Sequence, residues 1–375
     1  MPNDMMDYAV ALSVISAPGQ NGIWDYYSQY DPATIYKSVG DKQGLEIQSH
    51  ISQVYSGSPL EVASAIRNAC KRGGYGILTY WDHQYPRLLR EIARPPLVLY
   101  YRGNDTSILD GNTIAMVGTR KSDSRSTAIA KRIAGDLVES GFTVVSGMAV
   151  GIDRASHCGA LEGGGTTIGV LAHGIDRRYP YSNRDLYDRM AETPGSLLVS
   201  EYPPGINAVN WTFARRNRLI SGMSMGTVIV KAAAKSGALI TGRYACEQNR
   251  EVFACPGMAY DDEYEGCVRL IQNGAIPVFN TADILENLPS FSMRRMKPVN
   301  KQAVQTSEVS NTPSPIQVAY EGVPGRMIGI LEKGDMEIDD LVRHLQLPSS
   351  EVNEALVMLE LSNVIRRDGN MVGMA

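Results

Sequence analysis

From Thr113 to Pro256 the chain alternates short, almost wholly apolar runs with longer amphipathic stretches. The apolar runs are TIAMVG (113–118), FTVVSG (142–147), TTIGVL (166–171), SLLVSE (196–201), GTVIVK (226–231) and EVFACP (251–256). Each is short and without polar alternation, as a strand buried on both faces must be, and four of the six are rich in β-branched residues. Ala128 to Ser140 and Ile152 to Leu161 instead repeat their apolar positions at helical spacing. The alternation predicts an α/β fold with a doubly wound, mostly parallel sheet. Ahead of it, Asp4 to Ala69 reads as short helices, with turn signals at Pro18-Gly19 and Asn21-Gly22. Residues 1–76 are thus expected to form a helical packing domain, sterile-alpha-motif-like in type. In the connector from Ile77 to Gly103, Pro95-Pro96 stops a short helix and Leu97 to Tyr101 reads as a strand. The expected core runs over 77–288. A Ser/Pro/Asn/Thr-rich stretch, 289–317, reads as a flexible linker. Residues 318–375 show three helical patterns and a turn at Arg367-Asp368-Gly369-Asn370, the order of a winged helix.

Composition narrows this picture only slightly. The chain has 375 residues, enough for two or three domains, and 43% hydrophobic and 20% charged residues, as in ordinary soluble proteins. No membrane-length apolar run and no signal-peptide pattern is present, so a cytoplasmic protein is expected. Five scattered cysteines without a CxxC pair read as small buried hydrophobes in a reducing compartment. The net charge of −4 argues weakly against nucleic acid, but Thr113 to Gly257 holds 17 Lys/Arg against 12 Asp/Glu. A basic centre within an acidic whole suits a confined anion site.

Arg215, Arg216 and Arg218 crowd together with no acid among them, and Lys235-Ser236-Gly237 follows the strand at Gly226 to Val230 and opens a helical pattern. Guanidinium groups and helix-opening amides near strand ends suit a phosphate-bearing ligand. Val117-Gly118-Thr119-Arg120, with Ser122 and Ser124 after it, is either a second phosphate turn or an ordinary strand-to-helix turn with an exposed arginine. In the turn from Ser146 to Asp153, Gly147 and Gly151 make a GxxxG, which is not the dinucleotide fingerprint GxGxxG. Asp153 either favours the helix N-terminus or orients an arginine or a base edge. All three turns fall on the carboxyl edge of the expected sheet, where an elongated anion can span them. Catalytic signals are thin. Ser146 and His157 are conceivable as nucleophile and base, but there is no GxSxG elbow, no metal-spaced partner for His173 and no Walker A sequence. Neither a catalytic residue nor a metal nor a cofactor is expected.

Together the motifs resemble the DNA-processing protein A (DprA/Smf) family. They are YPRLLREIARPPLVLYYRG (85–103), MVGTRKSDSRS (116–126), SGMAVGIDRASH (146–157), VLAHGIDRRYP (170–180), SEYPPG (200–205), FARRNRLISGMS (213–224), KSGALITGRYACEQNREVFACPG (235–257) and LIQNGA (270–275). The C-terminal DDLVRHLQLPSSEVNEALVMLELSNVIRR extends the likeness over nearly the whole chain. The resemblance implies an extended Rossmann-like core that binds single-stranded DNA, dimerises through that core and helps load the recombinase RecA during natural transformation, without enzymatic activity. Carried over by motif, the DNA pocket comprises Gly118, Thr119, Arg120, Ser146, Gly147, Gly151, Arg216, Asn217, Arg218, Lys235, Ser236, Gly237 and Thr241. The chain departs from the family pattern at Ala172-His173-Gly174, at Lys231 and at Cys267-Val268.

A rival reading is a nucleotide phosphoribohydrolase-type enzyme on a similar scaffold. That family carries PGGxGTxxE, whereas Ser236 to Thr241 lacks the spacing and Glu247 falls late. In the winged helix, the candidate recognition helix Ser349 to Leu361 carries Glu351, Glu354 and Glu360 and no Lys or Arg. Phosphate attraction needs the opposite charge, so protein contact or autoregulation is expected there rather than duplex reading.

Overall fold

The computed structural model describes residues 3–15, 27–42 and 46–288 and, discontinuously, 323–374. The expected linker, the turns at 18–22 and parts of the candidate recognition helix lie outside the described residues. Residues 1–296 and 297–375 form two compact units.

The first unit begins with helices α1 (Asn3–Val14), α2 (Pro32–Lys42) and α3 (Pro59–Gly73). Ser58 caps α3 through a reciprocal box with Glu61, and left-handed Gly74 (φ 68°) ends it. Then come β1 (Gly76–Thr79), β2 (Val98–Arg102), β3 (Thr113–Val117), α4 (Ser124–Glu139), β4 (Thr143–Gly147), α5 (Ile152–Glu162), β5 (Thr167–Leu171), α6 (Arg184–Glu192) and β6 (Leu197–Ser200). The unit continues with α7 (Asn210–Gly222), β7 (Gly226–Ile229), α8 (Ala238–Glu247), β8 (Glu251–Ala254), α9 (Glu265–Gln272), β9 (Ile276–Pro277) and α10 (Thr281–Glu286).

These strands form one nine-stranded sheet in the order β1-β2-β6-β5-β4-β3-β7-β8-β9. β3 to β9 pair in parallel, and β1 and β2 add an antiparallel edge. Each of the six expected core strands is present, and β3 to β7 are buried along their whole length. In β3, Ile114 and Met116 pack against Ala130, Ile133 and Ala134 of α4. Ala115 and Val117 point the other way, into a cluster with Leu219 and Ile220 of α7. Two-sided burial explains why these runs lack polar alternation. The N-terminal helices do not have a core of their own: Val10, Val14, Val62 and Ile66 share one with Val98, Tyr100, Leu171 and Tyr202. Of the cysteines, Cys70, Cys255 and Cys267 are buried as expected, but Cys158 is half-buried and Cys246 exposed.

The chain winds outward from β3 through β4, β5 and β6, then returns along α7 to start again at β7, beside β3. Loops leaving β3 and β7 therefore diverge and open a crevice at the carboxyl edge, the topological switch point of a doubly wound sheet. In the second unit, α11 (Val323–Leu331), β10 (Met336–Glu337), α12 (Ile338–Leu345), β11 (Ile365–Asp368) and β12 (Met371–Met374) enclose a separate apolar core. β11 and β12 pair antiparallel with Asp368 opposite Met371, the hairpin expected of a wing.

Candidate functional site

The switch-point crevice is a cleft of about 340 Å³. Four segments line it: Gly118 and Arg120 after β3, Ala149 and Asp153 where α5 begins, one face of α7, and Ser236 to Thr241 at the start of α8. The α7 face presents Phe213, Arg216, Asn217 and Ile220. These residues follow the i, i+3, i+4, i+7 spacing of a single helical face.

Arg120 is exposed, and its guanidinium carbon stands 5.0 Å from the centre of the Phe213 ring. Such a contact holds an arginine in place while leaving its donors available. Tyr179, half exposed, extends the aromatic surface at 5.8 Å from Phe213. Across the cleft, α8 starts at Gly237, beside whose Cα there is open space, and the Ser236 hydroxyl accepts the Ala238 amide at 3.3 Å. Asn217 Nδ2 reaches the Gly237 carbonyl at 3.5 Å and so spans the two sides. The helix-opening amides, an exposed arginine and an aromatic ring thus face one space.

Arg216 plays a different part. It is 4% exposed, donates from Nε to Asn217 Oδ1 at 3.2 Å and donates from Nη1 to the Val170 carbonyl. Asp153, also buried, faces it across Gly147: a Cβ on Gly147 would lie 2.6 Å from both Arg216 Nη2 and Asp153 Oδ2. Glycine is required there by close approach. Burial pushes the Asp153 carboxyl up to about 6 against the pull of Arg216. Burial lowers Arg216 from its ordinary value, with Asp153 opposing. Among the described residues lining the cleft, Asp153 is the only acid.

Of the thirteen expected pocket residues, the structure brings Gly118, Arg120, Arg216, Asn217, Ser236, Gly237 and Thr241 to the cleft. Thr119, Gly147 and Gly151 shape it from behind. Thr119 accepts the Ile152 amide at 3.2 Å, and Gly151, at φ 83°, leaves 2.4 Å between a would-be Cβ and the Thr119 carbonyl. Ser146 is fully buried and donates to the Met116 carbonyl at 2.6 Å. Lys235 is exposed next to the cleft without lining it. Arg218 lies elsewhere: it donates to the Arg94 carbonyl at 2.9 Å and pairs with Glu201, which also meets Arg215 at 3.1 Å. The motif reading did not place Phe213 in the pocket, although its helical spacing to Arg216, Asn217 and Ile220 is a signal present in the sequence.

The catalytic candidates do not face each other. His157 Nε2 donates to the Gly147 carbonyl at 3.0 Å, its Nδ1 meets Thr167 Oγ1 at 2.7 Å, and burial holds the ring down to about 4. His173 bonds Gly174 and Tyr187. No group of three His, Cys, Asp or Glu among the described residues is arranged to hold a metal ion.

A family model described as DNA recombination-mediator protein A matches residues 76–289, and a DprA winged helix domain model matches 313–370. The chain is 37% identical over 252 residues to the DNA processing protein DprA of Bacillus subtilis, covering 67% of this chain and 82% of that protein. It is 33% identical over 315 residues to Protein Smf of a Synechocystis species, covering 78% of each. Its fold superposes on the solved DprA of Streptococcus pneumoniae with a TM-score of 0.60 and 29% identity, covering 76% of this chain and 98% of that one. For the Helicobacter pylori DprA, whose structure is described for its single-stranded DNA binding mode, the TM-score is 0.51 and the identity 28%, over 56% of this chain and 94% of that one.

Proposed function

The chain belongs to the DNA recombination-mediator protein A family, and from that premise we propose that its switch-point cleft binds single-stranded DNA. The observation that carries this reading is Arg120 stacked on Phe213 opposite the amides that open α8. An arginine held by a ring meets a phosphate, the ring offers a surface for an unstacked base, and the helix N-terminus adds neutral donors to the backbone. These groups address phosphate and π-face rather than base edges, so sequence preference is slight. The bound strand is presented to RecA during natural transformation by a cytoplasmic homodimer joined through the core, and no chemistry is done on it. The single-stranded DNA binding of the Helicobacter relative supports the ligand. The acidic residues Glu351 and Glu360 of the second unit support a protein-facing rather than a DNA-facing role for it.

The test is a fluorescence-anisotropy titration of labelled single-stranded and duplex oligonucleotides at two salt concentrations, with wild type and Arg120→Ala. Single-strand preference that weakens with salt is expected, with roughly tenfold weaker binding in the variant. A folded wild type that binds neither DNA would sink the reading.

A further inference from the structure

Lys231 is a lysine with almost no solvent exposure at the end of β7, in the middle of the carboxyl edge. Its side chain is 2% exposed, and its ammonium meets Asp123 Oδ2 at 2.6 Å and the carboxylate of Glu263. Nζ also stands 5.3 Å from the centre of the Tyr264 ring. Burial by itself opposes the charge, but the hydrogen bonds to Asp123 and Glu263 outweigh it and hold the ammonium above its ordinary value. Lys231 likewise holds the Asp123 carboxyl well below the usual carboxylate range.

The main chain of the same residue is also engaged. The Thr119 amide donates to the Lys231 carbonyl at 2.8 Å. One residue further on, the Ala232 carbonyl accepts the Gly266 amide at 2.9 Å. Asp123, besides meeting Lys231, caps α4 by accepting the Ser126 amide at 2.7 Å. Between Thr119 and Asp123 lie only Arg120, Lys121 and Ser122, and Arg120 is the exposed cation of the cleft.

We propose that Lys231 is a positioning residue for the cleft: it clips both ends of the loop that carries Arg120, by its carbonyl at Thr119 and its ammonium at Asp123. The assignment rests on the single-stranded DNA reading above. A five-residue turn on a sheet edge has many conformations. Fixing it at both ends removes most of them, so Arg120 sits over Phe213 before ligand arrives, and less ordering remains to be done on binding. Glu263 brings a second carboxylate to the ammonium and ties the loop after β8 to the same point. Lys231 itself does not line the cleft.

The experiment is a double-mutant cycle on the full chain, reading anisotropy of a labelled single-stranded oligonucleotide. Lys231→Met keeps an apolar stem of similar length and removes the ammonium. It is expected to weaken binding about fivefold in the wild-type background and less than twofold in the Arg120→Ala background, because its effect passes through Arg120. A merely structural residue would cost the same factor in both backgrounds, and that result would overturn the assignment. A second readout does not need DNA: limited trypsin cleavage after Arg120 and Lys121 is expected to quicken several-fold in the variant. If Lys231→Met does not fold, Asp123→Asn takes its place, since the amide oxygen still caps α4 while the charge is gone. The same non-additivity and the same faster cleavage are expected of it. Absence of binding by wild type sinks the DNA reading, whereas unchanged cleavage and additive losses sink the clip alone.

Discussion

Helix α7 carries three arginines within four residues, and its two faces use them in opposite ways. On the cleft face, Arg216 is buried among Val170, Asn217 and Asp153 and shapes a space that Arg120 and Phe213 enter from the side. On the other face, Arg215 and Arg218 converge on Glu201, whose side chain is 6% exposed. Residues two apart on a helix diverge by about 200°, whereas residues three apart share a face. The run Arg-Arg-Asn-Arg therefore cannot form one cationic patch. Charge density along a sequence says that anions are favoured somewhere nearby; ion pairing in the fold decides which cations remain for a ligand. Here Arg120, outside the run, lines the cleft exposed, while Arg216 lines it buried.

The comparison breaks first on stability. Arg216→Ala leaves the Val170 carbonyl and the Asp153 carboxyl buried without their partner, which costs about 3 kcal/mol. Urea unfolding would show it as a lower midpoint at unchanged slope. Arg218→Ala strips Glu201 of its more buried partner but leaves Arg215 in place, so a smaller loss of about 2 kcal/mol is expected. Its DNA affinity, measured below the unfolding transition, stays within twofold of wild type, and so does the salt slope. Arg120→Ala is the mirror image. Stability changes by less than about 0.5 kcal/mol, affinity falls roughly tenfold, and the slope of log affinity against log salt shrinks by about 0.7. If Arg218→Ala lost affinity and salt slope while Arg120→Ala lost stability, the two faces would have been assigned the wrong way round.

Much of the core was legible before the structure. Six buried strands announced themselves as uninterrupted apolar runs, and their observed limits differ from the expected ones by one or two residues. Gly118 was legible as a strand-end turn residue, and the close approach of Ile152 requires a small residue there; Ser236 and Gly237 were legible as the turn that opens α8. The short pieces were missed. β1 has four residues and β9 two, and the nine residues of α6 include five charges, so none of them carries enough periodicity to be seen. The separation of Arg216 from Arg218 depends on knowing that Asn210 to Gly222 is a helix and where Glu201 comes to rest, 17 residues before Arg218. The second fact is tertiary and has no local signature. Likewise the shared core of α1, α3 and β2 joins elements that composition alone separates at residue 76.

The smallest expected effect concerns Asp153, the acid that distinguishes the cleft face from a purely cationic one. With its carboxyl held up to about 6, Asp153 is mostly ionised at pH 7.5 and mostly protonated at pH 5. Losing this negative charge beside the cleft favours a bound phosphate, so single-strand affinity is expected to rise on acidification, by roughly threefold. Asp153→Asn removes that part of the pH dependence and binds at the acid-limit affinity throughout. Stability moves in the same window with a sign that can be worked out. In the folded chain Asp153 binds a proton below about 6, while in the unfolded chain it does so only below its ordinary value of 3.8, so its contribution falls as pH rises from 4 to 6. His157 acts oppositely. Held down to about 4 from 6.5, it stays neutral in the fold where the unfolded chain takes up a proton, so its contribution is lost as pH falls from 6.5 towards 4. The Asp153 slope opposes those of His157 and of His173 and His50, which burial also holds below their ordinary value, so a chemical-denaturation series from pH 4 to 7 is expected to climb less steeply in wild type than in Asp153→Asn. In Asp153→Asn the histidine slopes are unopposed by it, and stability climbs more steeply with pH. A wild-type curve as steep as the variant's would mean that Asp153 is ionised in the fold across the whole range, and the cleft face would carry a permanent anion after all.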